Sequence, residues 1–434
     1  MSKLTKLFVL SLSLLFSGWL QASVEIQTWH TSKGVKVLFV ETPQLPMVDI
    51  EVTFDAGSAR DGQQPGLANL TAALLAAGTR DKNEQQISIG FNNLGAQFGG
   101  SARRDTASFS LRSLTRDELL NPALDLFAEV LAQPTFPQAV FERDQARLIQ
   151  ALKQREEQPD QVASLAFWKA LYQDHPYAHP TEGYIKSVEA IKSKDLKRFH
   201  QQYYVAQNAQ VAIVGAVSKK QAEQIAERLT SQLKAGQKPP ALPQAKPLKQ
   251  AEKQVIDFNA QQTHYLLGQI GVKRGDPDYY ALFLGNHLFG GSGFGSLLME
   301  EVREKRGLVY SVYSYFAPMG EAGPWIIGLS TENAQATEAD KVVRQTLKSF
   351  MDDFSQQKLD DIKSNLIGGW PLRLDSNSKI LGYISMIGFY DLPLDYLDTF
   401  PKQIERLTKQ DVLDAWNRRI QVDKLLNIQV GKPE

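Results

Sequence analysis

Apolar and polar residues alternate along two short stretches near the start of the chain, residues 35–40 and 48–54. Alternation of this kind is typical of half-buried β-strands. Shorter alternating runs at residues 106–111 and 210–214 predict two more strands. Apolar residues recur with helical spacing in five longer stretches, which predict helices: residues 66–77, 84–94, 117–132, 138–156 and 161–171.

The predicted strands and helices are mixed along the chain and do not alternate strictly. Strict alternation would favour a doubly wound parallel sheet, whereas this order favours a mainly antiparallel sheet with helices packed on one face. The expected fold class is therefore α+β, in two layers. A chain of 434 residues with 43% apolar and 22% charged residues is typical of a soluble globular protein with two to three domains.

The two halves of the chain resemble each other. Residues 184–215 align with residues 396–431, which places Asp195 against Asp411 at an offset of 216. Five upstream residues match five others at the nearly equal offset of 218: Phe136, Gln138, Phe141, Leu148 and Ile149 pair with Phe354, Gln356, Leu359, Leu366 and Ile367. Two similar offsets over separate stretches indicate a duplicated domain.

The segment between these halves, residues 235–250, is rich in Pro and Lys and has no apolar period. That composition predicts an extended linker. We therefore expect an N-terminal domain at residues 23–234 and a C-terminal domain at residues 251–434, each of a normal domain size. A signal peptide is expected at residues 1–22.

The signal peptide is predicted from the first residues, where Lys3 and Lys6 precede an apolar run at residues 7–20 and the small residues Ala22 and Ser23 follow. The run is shorter than the roughly 20 residues that span a bilayer, which favours cleavage near Ala22 over a retained anchor. We expect a periplasmic protein without a stable membrane anchor; secretion beyond the periplasm is the alternative.

Composition narrows the chemistry further. The chain has no cysteine, so disulfides, thiolate metal ligands and a Cys nucleophile are excluded. Lys+Arg and Asp+Glu are both 48, and this balance gives no reason to expect nucleic acid as a partner.

The histidines do not form a hydrolytic metal motif. None of the six begins an H-E-x-x-H or H-x-x-E-H sequence. His175 and His179 have ligand-like spacing, but Pro176 and Pro180 prevent the helix that would point both rings the same way. We expect these two histidines in a packed or surface loop.

A glycine-rich segment, FGGSGFGSL at residues 289–297, matches neither phosphate-binding loop. Ser292 also misses the G-x-S-x-G elbow, because Phe294 stands where the last glycine belongs. We expect a turn that opens a helix; the alternative is a backbone-lined contact with an extended peptide, since glycine permits close approach.

The segment GLANLTAALLAAGT, residues 66–79, resembles the first catalytic helix of the pitrilysin/insulinase family of zinc peptidases, the inverzincins, which include the mitochondrial processing peptidase. In active members this helix reads G-L-A-H-x-x-E-H, with two His as zinc ligands and Glu as general base. The resemblance places Asn69, Ala72 and Ala73 at those three positions. It therefore implies that this helix has lost its metal ligands and its base.

The family's third zinc ligand is a Glu on a later helix, in a stretch that residues 141–160 resemble. The family's acidic pair falls at Gln150 and Ala151. The resemblance thus implies that this chain has no catalytic site of its own and binds no cofactor.

In the second half, residues 298–316 resemble the family's R-x-x-x-x-x-x-Y segment and place Arg303 and Tyr310 at the positions that hold substrate near the zinc. A guanidinium can grip a peptide carbonyl or carboxylate, and a phenol can donate to an oxyanion. Read from the residues alone, the two are an exposed Arg on a helix and a Tyr at the start of a strand. The resemblance implies substrate binding in trans.

The resemblance covers the whole mature chain and implies a non-catalytic subunit. We expect it to form a heterodimer with a zinc-bearing homologue, to enclose an extended peptide in a shared chamber, and to offer a sheet edge for an added strand. One alternative is a structural or scaffold peptide-binding protein of the same fold without a peptidase role. Another is a solitary hydrolase with an unrecognised site.

The signal sequence generates a first prediction. Protein isolated from its native host should begin near Ser23 and be released by osmotic shock, because the run at 7–20 is too short to anchor it. Intact-mass measurement of the released protein checks this. An uncleaved Met1 terminus in the membrane fraction would identify the run as an anchor.

Overall fold

The structure is a computed structural model that describes residues 24–434; the predicted signal peptide, residues 1–22, lies outside the described residues. Its N-terminal half contains a six-stranded sheet in the order β1-β2-β6-β3-β5-β4. The strands are β1 Gln27–His30, β2 Lys36–Glu41, β3 Met47–Phe54, β4 Gln97–Ala102, β5 Ala107–Leu114 and β6 Ala209–Gly215. Neighbouring strands are antiparallel except β2 and β6, which are parallel.

The C-terminal half contains a five-stranded sheet in the order β7-β11-β8-β10-β9. Its strands are β7 Glu252–Asp257, β8 Gln262–Ile270, β9 Val309–Phe316, β10 Pro324–Glu332 and β11 Leu426–Gly431. Here too one pair, β7 and β11, is parallel, and the others are antiparallel. Without β1, the first sheet has the same strand order and directions as the second, which is the topology of a duplicated fold.

Helices surround both sheets. The N-terminal half contributes α1 Leu67–Ala73, α2 Glu84–Asn93, α3 Asp117–Ala132, α4 Gln138–Glu156, α5 Pro159–Tyr172, α6 Ile185–Ala190, α7 Ser193–Tyr203 and α8 Lys219–Thr230. The C-terminal half contributes α9 Tyr279–Asn286, α10 Ala336–Asp352, α11 Gln356–Gly368, α12 Asn377–Phe389, α13 Tyr396–Arg406 and α14 Lys409–Arg419. Within residues 24–434, no helix is both long and apolar enough to cross a bilayer.

The duplication extends to single hydrogen bonds. Asp195 on α7 and Asp411 on α14, which the sequence pairs, each cap their own helix. The Asp195 carboxylate accepts the N–H of Lys192 at 2.9 Å, and the Asp411 carboxylate accepts the N–H of Thr408 at 2.8 Å. The predicted α+β class and its duplication are confirmed. The domain boundaries at 23–234 and 251–434 stay predictions.

Two equivalent helices exchange places between the halves. Helix α5 leaves the N-terminal half and packs on β8 and β11 of the C-terminal sheet. Its Phe167 is fully buried there, where Gly268 makes room: a Cβ on Gly268 would lie 3.0 Å from the Phe167 ring and 2.1 Å from the Trp325 carbonyl oxygen. Burial of a Phe side chain contributes about 1.5–3 kcal/mol, so this contact holds α5 on the opposite sheet.

Helix α12 makes the reverse crossing and packs on β2, β3 and β6. The Gln210 amide donates to the Ser385 carbonyl at 2.6 Å, and the Thr53 and Ser385 hydroxyls lie 3.2 Å apart. Gly388 allows the close approach, because a Cβ there would lie 2.4 Å from Leu38 Cδ1. Each sheet is therefore covered on one face by helices of its own half and on the other by a helix of the opposite half.

A buried carboxylate also joins the halves. Asp105, in the turn between β4 and β5, accepts hydrogen bonds from the Tyr177 hydroxyl, the Tyr390 hydroxyl at 2.8 Å and the Gly320 N–H at 2.8 Å. Its partners come from both halves. A buried carboxylate needs such donors, because an unpaired charge in the interior is costly.

The predicted linker crosses the surface in contact with the protein. Residues 231–251 contain no helix or strand, as an extended linker requires. Ala245 and Leu248 are nevertheless buried beside α5, and the Pro243 carbonyl lies 2.8 Å from His175 Nε2. The segment is therefore extended but anchored.

His200 provides a pH-dependent contribution to stability. It lies buried on α7, and its Nε2 donates to the Leu131 carbonyl at 2.8 Å. Burial lowers its pKa from 6.5 to about 4, so the folded chain keeps it neutral where the unfolded chain protonates it. This contribution is fully present above about pH 6.5 and is lost as the pH falls through about 4.

We predict that His200→Gln, which keeps a donor but cannot titrate, flattens the stability profile between pH 6.5 and 4. Each unit of pKa shift corresponds to about 1.4 kcal/mol, so the difference should reach a few kcal/mol. Urea unfolding across this range measures it. The exposed His30→Gln variant is the control and should keep the wild-type profile; an unchanged slope for His200→Gln would contradict the assignment.

Candidate functional site

Helix α1 carries Asn69, Ala72 and Ala73, three of the five residues that the resemblance places at the family's metal-ligand and base positions. We call these five residues the degenerate positions, and backbone hydrogen bonds hold the start of the helix. Gly66 has φ of 98°, a left-handed conformation that favours glycine. The Asp61 carboxylate accepts the N–H of Gly66 at 2.8 Å and the N–H of Ala68 at 2.7 Å. Burial raises the pKa of Asp61 to about 8, although both backbone hydrogen bonds act in the opposite direction. The start of the helix is thus held by a buried carboxyl group.

The end of α1 differs from the prediction. The expected helix at 66–77 stops at Ala73. The next N–H groups make shorter-range bonds, from Leu75 to the Ala72 carbonyl at 3.3 Å and from Ala77 to the Leu74 carbonyl at 3.0 Å. Beyond them, the backbone forms a hydrogen bond with a segment that is distant in the sequence: the Thr135 N–H donates to the Gly78 carbonyl at 2.9 Å. The helix therefore ends one turn earlier than predicted, where i→i−3 hydrogen bonds replace the helical ones.

The side chains at the degenerate positions do not fit zinc. Ala72 is buried, Asn69 is partly buried and Ala73 is exposed, while Gln150 and Ala151 are exposed on α4. None of them offers an imidazole or a carboxylate, the donors that zinc requires alongside thiolate. Across residues 24–434 no group of three His, Cys, Asp or Glu side chains is placed to hold a metal ion. We derive no metal chemistry from this chain.

The degenerate positions do not share one cavity either. Ala73 lines a cavity of about 400 Å³ beside α2 and the start of β4, together with Phe91, Gln97 and Phe98. Ala151 lines a different cavity of about 340 Å³ beside α5. These two residues therefore line separate cavities among residues 24–434.

A cavity of about 490 Å³ lies between the halves, and we call it the main cavity. Helix α5 forms one wall, and strands β8, β9 and β10 form the other. Its most prominent side chains are polar or aromatic: Asp160, Trp168, His264, Tyr310, Tyr313 and Tyr315. A concave surface with aromatic walls and a few polar groups is typical of binding sites.

A β-bulge aims Tyr310 into this cavity. Val312 pairs with Leu329 and Val309 pairs with Thr331, so two residues of β9 lie opposite one residue of β10. Tyr310 and Ser311 are consequently both exposed, and both line the cavity. Bulges of this kind often re-aim a side chain beside a functional site.

Arg303 and Tyr310, which the resemblance pairs, lie side by side. Arg303 Cζ is 5.2 Å from the centre of the Tyr310 ring and 4.7 Å from the centre of the Phe294 ring. Phe294 is 70% exposed and Tyr310 is 84% exposed. The arginine is partly buried on a π-helical turn, Met299–Glu304, so it is less exposed than the sequence suggests. We call Phe294, Arg303 and Tyr310 the aromatic–arginine cluster.

The sequence did not single out three aromatic residues at or beside the cavity. Phe294 lies in the glycine-rich turn, where its sequence signal was only the aromatic residue that interrupts the glycines. Tyr313 and Tyr315 alternate along β9, and their rings stack with centres 5.9 Å apart. Their period-two spacing was visible in the sequence, but only the sheet shows that they face the cavity.

The two histidines with ligand-like spacing have separate partners. His175 Nδ1 accepts the N–H of Tyr177 at 3.0 Å, within a short turn at Pro176–Ala178. His179 Nδ1 lies 3.8 Å from Asp61 Oδ2. These contacts fit the packed loop that the prolines predict.

Known proteins match this architecture. Residues 36–184 match the family model described as insulinase (peptidase family M16), and residues 190–366 match the one described as peptidase M16 inactive domain. A crystal structure of a peptidase M16 inactive domain from Pseudomonas fluorescens is 41% identical, with coverage of 95% of this chain and 98% of that one and a TM-score of 0.91. The chain belongs to peptidase family M16.

Two proteins of Helicobacter pylori are similar to this chain over nearly its whole length. The non-peptidase homolog YmxG of Helicobacter pylori is 29% identical over 97% of each protein. A crystal structure of a protease from Helicobacter pylori has a TM-score of 0.88 at 19% identity, covering 94% of this chain and 99% of that one, and shows the shared fold. The family that the sequence resembles is therefore confirmed.

The donor set generates a prediction about zinc. The purified mature protein should retain no stoichiometric zinc after dialysis against the metal, because Asn69, Ala72, Ala73, Gln150 and Ala151 supply no ligand. Elemental analysis measures the ratio. A control variant carrying His175→Ala and His179→Ala should give the same low value. About one tightly held ion per chain would contradict the prediction.

Proposed function

We propose that this M16 chain is a non-catalytic subunit of a periplasmic zinc peptidase. It pairs with a homologue that carries an intact H-x-x-E-H motif and the zinc, and it contributes peptide-binding and transition-state contacts. The predicted signal sequence supports the periplasmic location. The name of the Helicobacter pylori relative, a non-peptidase homolog, supports the proposal that this chain alone has no peptidase activity.

The observation that carries the proposal is the aromatic–arginine cluster. Tyr310 and Phe294 are mostly exposed and add little buried area, so their side chains contribute little to folding. Together with Arg303 they nevertheless form an ordered cation–π group, and Tyr310 lines the main cavity. A cluster that the fold does not need is better explained by a ligand than by stability.

An extended peptide fits the surroundings of the cluster. Strand β9 is the last strand of its sheet, and β4 is the last strand of the other. An edge strand presents backbone donors and acceptors to which a peptide can add as a further strand. The side chains of Tyr313 and Tyr315 would then contact those of the bound peptide from the face of β9.

The chemistry of the cluster suits the transition state of peptide hydrolysis. The Tyr310 hydroxyl can donate to the oxygen that becomes negative when the scissile carbonyl turns tetrahedral. The Arg303 guanidinium can hold a neighbouring carbonyl or carboxylate in register. Neither role requires that the metal be bound by the same polypeptide.

We predict that Tyr310→Phe lowers kcat in the reconstituted pair, because loss of one oxyanion donor typically costs about 10²- to 10³-fold. Arg303→Ala should raise KM, lower kcat or do both. Turnover of a fluorogenic peptide by the partner mixed with each variant measures these effects, with association checked separately. The control is Tyr280→Phe, which removes a hydroxyl on α9, away from the cavity-lining residues.

Three outcomes are informative. Slower turnover with intact association supports the proposal. Wild-type rates for both variants would remove the assigned roles and leave the structural, peptide-binding scaffold as the better description. Peptide hydrolysis by the purified chain without any partner would contradict its assignment as a non-catalytic subunit.

A further inference from the structure

The cavity of about 340 Å³ that Ala151 lines is next to the main cavity. The two cavities share three lining residues of α5: Gln161, Ser164 and Trp168. Helix α4, the turn between β4 and β5, and the loop before α6 complete its walls. Its charged lining residues are two arginines, Arg104 and Arg155, and one carboxylate, Glu182. The lining therefore carries an excess of one positive charge.

Arg104 has no carboxylate partner. Across residues 24–434 no Asp or Glu oxygen lies within 4.0 Å of its guanidinium. The group stacks on Trp168, with Cζ 3.4 Å from the ring centre, and its Nε donates to the Tyr177 carbonyl at 3.3 Å. Burial lowers the pKa of Arg104, while the charge of Glu182 acts in the opposite direction. A partly buried cation that is not directly paired with a carboxylate is costly unless a ligand compensates it.

Arg155 is only partly satisfied. Its side chain is 14% exposed, and its Nη2 donates to the Gly183 carbonyl at 2.7 Å. Its Nη1 lies 3.3 Å from Glu182, a carboxylate that is itself 52% exposed, and its buried Nε has no partner. The single exposed carboxylate therefore leaves both guanidinium groups with N–H donors that are free to bind another anion.

Ala151, one of the two residues that the resemblance places at the family's acidic pair, also lines this cavity. Its side chain carries no charge and does not offset the positive charge of the two arginines.

We propose that this arginine pocket binds a carboxylate of an extended peptide, either its C-terminus or an acidic side chain. Guanidinium groups bind carboxylates with charge-assisted, often bidentate hydrogen bonds. Gln161, Ser164 and Thr181 add polar contacts, and Leu148, Leu152 and Leu165 provide an apolar wall. The pocket goes beyond the proposed pairing, because it requires only this chain.

The test uses three hexapeptides of Ala and Leu: one with a free C-terminus, one amidated, and one amidated with Glu as its last residue. Binding to the purified chain without a partner is measured by calorimetry. The neutral amide should bind about 10- to 100-fold more weakly than at least one acidic peptide, as expected for charge-assisted hydrogen bonds. Preference for the free acid identifies the C-terminus as the ligand, and preference for the Glu peptide identifies the side chain.

Variants locate the site. Arg104→Gln and Arg155→Gln should each weaken binding of the preferred acidic peptide about 10-fold or more and leave the amide unchanged. The control is Arg147→Gln, which removes a 72% exposed arginine from the same helix as Arg155. If thermal unfolding shows that Arg104→Gln is not folded, the binding of the acidic peptide by Arg155→Gln tests the proposal.

Equal binding of all three peptides, or wild-type affinity in a folded Arg104→Gln or Arg155→Gln variant, would overturn the proposal. These results are separable from the test of the proposed function, because turnover by the reconstituted pair depends on Tyr310 and Arg303. Loss of turnover in Tyr310→Phe with no carboxylate preference would reject only the arginine pocket.

Discussion

Helices α5 and α12 each cover the sheet of the opposite half, and the shape of the molecule depends on this exchange. Each fully buried Phe, Leu or Ile side chain contributes about 1.5–3 kcal/mol, against a typical net stability of about 5–15 kcal/mol for a domain. The halves therefore cannot separate without losing much of what holds the chain folded. Asp105 also links the two halves, because it accepts three hydrogen bonds whose donors come from both of them.

The exchange also forms the cavities of about 490 Å³ and 340 Å³. Phe167 packs helix α5 on the second sheet, and Gln161, Ser164 and Trp168 of the same helix line both of these cavities. Trp168 stacks against Arg104 in the smaller cavity, while the bulge in β9 exposes Tyr310 in the larger one. Groups that are distant in the sequence are brought together by the packing of a single helix.

The chemistry of the two halves has diverged on this shared scaffold. In the first half, Asp61 still holds the start of α1 through two backbone hydrogen bonds, although Asn69, Ala72 and Ala73 on that helix offer no metal ligand. In the second half, Arg303 lies over the rings of both Phe294 and Tyr310. The first half thus has a fixed helix start without metal donors, and the second half presents an arginine beside two exposed aromatic rings.

Strand and helix positions could be predicted because each depends on local periodicity. The expected strands at 35–40, 48–54 and 210–214 overlap β2, β3 and β6, and the expected helix at 138–156 has the bounds of α4. The end of α1 was predicted wrongly, because the apolar spacing continues to Ala77 whereas the backbone changes to i→i−3 hydrogen bonds after Ala73.

The sequence by itself determined the fold class and the duplication, because these follow from residue types and their spacing. The resemblance to the family added the predictions that the zinc ligands are absent and that Arg303 and Tyr310 are candidates for substrate binding. Only the tertiary structure decided that Phe294 joins them and that a bulge exposes both Tyr310 and Ser311. It also decided that Arg104 stacks on Trp168 with no carboxylate oxygen of residues 24–434 within 4.0 Å. These features depend on which surfaces meet when α5 crosses to the opposite sheet, and no local pattern in the chain encodes that meeting.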